Sequence, residues 1–129
     1  MIVNKHMTTG WQFVIGGRKF DPTEFLKSCR IQPTTDWKEG VGDDSERCVD
    51  FCDWHDGPYP LAMETEALDF LREHIEEIRS LLNLEGVERR ELHFIDDGGS
   101  GFLFESSSLS LLGELGITVS ICVLNQGSN

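Results

Sequence analysis

The sequence predicts an α+β domain: a single, mostly antiparallel sheet with two or three helices packed on it, in the order β-α-β-β-α-β-β-α-β. Three observations predict this. Apolar residues alternate with polar ones around residues 11–15, 47–53, 91–95 and 117–123, the two-residue period of a strand. The segment Leu68 to Leu82 instead spaces its apolar residues 3, 4, 3, 4, the period of a helix. Several neighbouring segments are joined by tight turns, which antiparallel pairing accommodates and parallel pairing does not.

Taken in order, residues 1–10 read as a short lead-in, with Met1 and Met7 both open as starts. Trp11, Phe13 and Ile15 form the first strand, and Gly16-Gly17 a turn after it. Asp21-Pro22-Thr23-Glu24 starts a helix: Asp caps free N–H groups, Pro suits the first turn, and Glu24 stands where it can reach back to the cap. Pro33 holds Gln32 extended, so that helix ends by Ile31. A short strand follows at Trp37–Val41, punctuated by Gly40 and Gly42. Arg47 to Asp53 is the next strand, with Val49 and Phe51 on one face and Cys48, Asp50 and Cys52 on the other. Asp56-Gly57-Pro58-Tyr59-Pro60 is a stiff loop, too short to separate two domains.

Leu68, Leu71, Ile75, Ile78 and Leu82 predict one helix of roughly 18 residues, closed by Gly86. Glu91–Ile95 is a strand, Asp96–Gly101 a hairpin-type loop, and Phe102-Leu103-Phe104 its returning strand. Ser106-Ser107-Ser108 offer N-caps for a short helix that Gly116 ends, with Ile117 packing back across the end. Ile117 to Val123 make a half-buried final strand, and residues 125–129 a frayed tail. At 129 residues the whole chain reads as one domain.

Apolar residues at 39% and charged residues at 26% are ordinary for a globular protein. No apolar run approaches the length of a membrane-spanning helix, and the first residues carry no secretory signal. The expected compartment is therefore the cytoplasm, with Cys29, Cys48, Cys52 and Cys122 as reduced thiols. The charge is lopsided. Ten carboxylates and one base, Arg47, lie between Glu39 and Asp69, so nine of the chain's twelve net negative charges sit there. Such a field repels nucleic acid and anionic membrane and speeds encounter with a cationic partner.

Gly17, Phe20-Asp21-Pro22, Ile31-Gln32-Pro33-Thr34 and Trp37-Lys38-Glu39-Gly40 together resemble the opening of a bacterial family, domain of unknown function 4279. The long middle helix and the Leu115-Gly116-Ile117 passage into the last strand are similar as well. The middle of the chain, with its cysteines and the Asp56–Pro60 loop, departs from that pattern. The resemblance implies a fold and no chemistry, because the family carries no established activity.

No catalytic motif is visible. Cys48, Cys52 and His55 invite a zinc reading, but four residues of strand hold the two sulfurs roughly 13 Å apart, too far to share an ion. No metal or cofactor is therefore expected. Asp96–Gly101 lacks the spacing of a calcium loop and the lysine of a phosphate loop. His6, His55, His74 and His93 are scattered, and none of the three serines sits in a nucleophile elbow.

These exclusions leave a binding protein as the expected class, rather than an enzyme. The carboxylates are interleaved with aromatic residues of the kind that anchor interfaces. The expected partner-binding set is Asp43, Asp44, Glu46, Asp50, Asp53, Trp54, Asp56 and Tyr59. The expected partner is a basic protein, with an immunity protein against a nuclease-type bacterial toxin as the leading form. The alternative is a small-molecule-sensing domain with a pocket between sheet and long helix, walled by Trp11, Trp37 and Phe94. An enzyme built on Asp96 and Asp97 ranks last, since adjacent loop carboxylates stay exposed and alike in pKa. Oligomeric state and strand order are open at this level.

Overall fold

The computed structural model describes residues 8–98 and 101–124. Residues 1–7 of the expected lead-in, with His6 and Met7, the tail 125–129, and Gly99-Ser100 of the expected hairpin loop lie outside the described residues, while Thr8–Gly10, also expected as lead-in, belong to the first strand. Five strands, β1 (Thr8–Gly17), β2 (Thr35–Glu39), β3 (Glu46–Asp56), β4 (Arg89–Asp96) and β5 (Thr118–Val123), form one sheet in the order β2-β3-β1-β4-β5. Four helices, α1 (Thr23–Ser28), α2 (Met63–Glu73), α3 (Ile75–Leu82) and α4 (Ser106–Leu115), and one 3-10 turn at Gly42–Asp44 complete it. No helix among the described residues is long and apolar enough to cross a membrane.

The alternation in β1 places Trp11, Phe13 and Ile15 on one face. Cross-strand partners extend that face: Phe13 lies between Phe51 and Leu92, Trp11 beside Phe94, and Ile15 beside Val49. Leu26, Leu68, Leu71, Ile78, Leu81, Leu82, Leu112 and Leu115 cover it from the four helices, so among the described residues the main hydrophobic core lies on this side of the sheet. Among the described residues the opposite face carries no helix. It carries Gln12 bonded to the buried Asp50, and His93 bonded to Glu91.

Three pairings are antiparallel, as expected, but β4 and β5 run parallel, so the sheet is mixed. This change accounts for the largest departure from the expected elements. The hairpin's returning strand does not form, because β4 has β1 on one side and β5 on the other. Phe102 and Phe104 instead stack on each other at 6.3 Å and close over Phe94 at 5.4 and 5.8 Å. α4 then serves as the crossover between two parallel strands, and β5 becomes an edge. Its residues are mostly exposed rather than half buried.

The expected single long helix divides at His74, whose φ of −115° and ψ of 31° leave the helical range. The ladder bridges the break through His74 N–H to Phe70 O and Ile78 N–H to His74 O. The bend lets Phe70 lie against Trp11 and Phe51 while α3 keeps Ile78, Leu81 and Leu82 in the core. Gly86, expected to close the helix, lies past its end with φ +89° and its backbone pressed against Lys19.

Gly16 and Gly17 are not a turn; they belong to β1, and the chain turns at Arg18-Lys19. A Cβ on Gly16 would stand 2.6 Å from Cys48 Sγ, and one on Gly17 1.9 Å from Gly86 O, so close approach explains both glycines. Asp21 does accept from Thr23 N–H at 3.1 Å, but Glu24 pairs with Lys27 instead of reaching back. The short helix ends at Ser28, before Ile31. The serines of α4 make no side-chain cap, whereas Gly116 ends that helix with φ +68° and Ile117 N–H returns to Leu112 O.

Candidate functional site

β2 pairs with β3 as far as Thr35 opposite Asp50. Thr34 still bonds Asp50 and Cys52, and beyond it β3 runs on to Asp56 with β1 as its one strand neighbour among the described residues. α2 crosses the core face here. Its residues Glu66, Asp69, Phe70 and Glu73 follow the spacing i, i+3, i+4, i+7, so they share one side of the helix. That side meets the unaccompanied part of β3 in a cleft of about 510 Å³, lined by Trp11, Phe51, Asp53, Glu66, Asp69, Phe70 and Glu73, with Gln32, Thr34 and Cys52 at its end.

The floor is aromatic. Phe70 lies 5.5 Å from Trp11 and 5.4 Å from Phe51, centroid to centroid, and His74 packs on its outer side at 5.0 Å. The wall is acidic. Asp53 accepts from the Tyr59 hydroxyl at 2.7 Å and has His55 Nε2 at 3.3 Å. The Tyr59 ring meets His55 edge-on at 4.7 Å, and Thr9 Oγ1 fixes the loop beneath by donating to Gly57 O. Burial, then Asp53, push the Tyr59 hydroxyl well above its usual range, and Glu66 adds to the rise. Glu66 and Glu73 have no ion pair among the described residues, and Asp69 has Arg72 at 3.9 Å. Trp11 Nε1 is buried without a hydrogen-bond partner among the described residues, and Trp11 offsets part of the Tyr59 shift.

Such a site can take a cation. A guanidinium or ammonium over an aromatic face is attracted by the ring quadrupole, and flanking carboxylates supply charge-assisted bonds.

The expected partner-binding residues do not converge on one face. Asp53 lines the cleft, and Tyr59 stands behind it as its hydrogen-bond donor. Asp43 and Asp44 are exposed in the 3-10 turn, and Glu46 opens β3 at that same end, roughly 23 Å from Asp53 along the strand. Glu46 lies beside Arg89, at 4.0 Å. Trp54 points to the helix-free face, over Gly10, where any Cβ would strike its ring at 2.9 Å. Asp56 is exposed at the far end of β3. Asp50 is withdrawn from the surface: it is 3% exposed and accepts from Gln12 Nε2 at 2.7 Å, Thr35 N–H at 2.9 Å and the Thr35 hydroxyl at 2.5 Å. It ties three strands together and presents no charge to a partner. The dispersal follows from strand geometry, since even and odd residues of β3 face opposite ways.

Nor do the three expected pocket walls meet. Trp11 and Phe94 pack on the core face, while Trp37 lies opposite Cys48 on the other. Glu39, Glu46 and Cys48 cluster closely enough to suggest a cation site. Arg89 already occupies that role: it pairs with Glu39 and Glu91 at 2.9 Å and reaches Cys48 Sγ at 3.7 Å. Burial lowers its pKa, but these carboxylates outweigh burial and raise it.

The cleft residues missed in the sequence are Glu66, Asp69, Phe70 and Glu73. Their helical spacing was a usable signal, obscured because Phe70 falls outside the dominant Leu68–Leu82 stripe. Compared with known proteins, the chain matches no family model, no curated protein and no solved structure.

Proposed function

We propose that this is an acidic protein-binding protein that takes a cationic side chain of a basic partner into the cleft between α2 and β3. The carrying observation is the collar of Asp53, Glu66, Asp69 and Glu73 around the Trp11–Phe51–Phe70 floor. Carboxylates on the rim accelerate association, and an aromatic floor that excludes water slows departure. Asp43, Asp44 and Asp56, exposed elsewhere, add long-range attraction without belonging to the contact. A basic nuclease toxin domain, neutralised by an immunity protein, is the partner class this charge pattern suits best, because such a target is shaped to bind phosphate charge.

The test is affinity of the full chain for a panel of basic nuclease domains, measured at 20 and 300 mM salt. A true partner binds at least tenfold more weakly at the higher salt, and the triple variant E66Q/D69N/E73Q loses at least tenfold at low salt. Equal binding by parent and variant removes the cleft from the reaction. Absence of binding across the panel removes the nuclease class.

A further inference from the structure

We infer that the cleft receives its partner as an extended basic segment that adds a strand to β3, a proposal that rests on the cationic reading above. Two observations combine. First, Asp50 O accepts Thr34 N–H and Cys52 N–H donates to Thr34 Oγ1, so the even residues of β3 direct their backbone groups away from β1. By that alternation the Cys52 carbonyl and both backbone groups of Trp54 face outward beyond the end of β2, where no described residue pairs with them. Second, the acidic collar lies on the core side of this same stretch, beside Asp53.

A segment paired here continues the row of β2. The partner residue opposite Trp54 exchanges both backbone hydrogen bonds with it and directs its side chain to the helix-free face. The residue opposite Asp53 points its own N–H outward and its side chain into the cleft, over Phe70 and between Asp53 and Glu66. Every second residue of the segment is therefore read by carboxylates, and the intervening ones by the backbone. Edge strands left bare invite such addition, and an acidic surround selects a basic segment over a neutral one.

The probe is an octapeptide of alternating arginine and valine, compared with N-acetyl-arginine N-methylamide and with two octapeptides N-methylated on all valines or on all arginines. Affinity and Trp54 amide exchange are measured on the intact chain by NMR. Strand addition predicts that the octapeptide slows Trp54 exchange at least tenfold. Valine methylation weakens binding at least tenfold, arginine methylation less than threefold. Octapeptide binding that is indifferent to methylation, with unchanged Trp54 exchange, overturns strand addition and leaves the cationic reading standing. Failure of the octapeptide and of the arginine derivative to perturb any cleft resonance at 20 mM salt overturns both.

Discussion

Tyr59 is the chain's single tyrosine, so its ionisation can be followed without interference from another. Burial and the Asp53 carboxylate disfavour the charged phenolate. The folded hydroxyl therefore titrates above the unfolded value near 10, and its contribution to stability is full below that value and lost as pH rises through the folded one. Tyrosinate absorbance near 295 nm should stay flat through pH 10.5 in the folded protein and rise there on unfolding. D53N should bring the titration part of the way down, since burial remains. A native titration at the ordinary value would mean that Tyr59 is neither buried nor held by Asp53. At this scale the sequence was legible for the residues themselves and opaque for their partners. Asp50 and Asp53 look alike in the string, three apart on one strand. One is locked between Gln12 and Thr35, the other stands in a cleft, and the difference comes from strands far away in the chain.

Among the elements, Arg90 on β4 makes the most consequential connection. Its guanidinium donates to Leu115 O at 2.7 Å and Leu82 O at 3.1 Å, the last residues of α4 and α3. Helix C-termini leave carbonyls without partners and carry partial negative charge, so one cation satisfies both ends. Arg90→Met should cost about 2–3 kcal/mol, the range for losing charge-assisted bonds to two partly buried carbonyls. Urea denaturation at pH 7 reads this as a lower midpoint with unchanged slope; a loss below about 0.5 kcal/mol would show that water replaces the arginine. Element existence was legible wherever periodicity was strong: β1, β3, β4, β5, α4 and the α2–α3 stripe each overlap a segment the pattern marks, although β1, β3, β4 and α2 run beyond it. What it could not reveal was pairing. Asp96-Asp97-Gly98 has turn chemistry, and turn chemistry suggests a hairpin. The decision against a hairpin came from β1 and β5, which claim both sides of β4.

For the whole molecule, charge acts in two directions. The net charge of −12 repels itself within the compact state, and salt screens that repulsion over about 10 Å at 0.1 M. The melting temperature should therefore rise between 20 and 300 mM sodium chloride, while affinity for a cationic partner falls. A melting temperature that drops with salt would mean that the ion pairs of Arg18, Arg47 and Arg89 outweigh the repulsion. The α+β class was legible from the mixture of periods, but the mixed sheet and its strand order were not, because they depend on which distant segments meet. The centre of the sheet has a consequence for synthesis. Gly10 is paired with Trp54 on one side and Ile95 on the other. While a ribosome makes the chain, β1 waits for both neighbours, and its second flank stays bare until translation has passed Asp96. Throughout that interval Trp11, Phe13 and Ile15 form a sticky ribbon that must avoid its counterpart on an adjacent nascent chain.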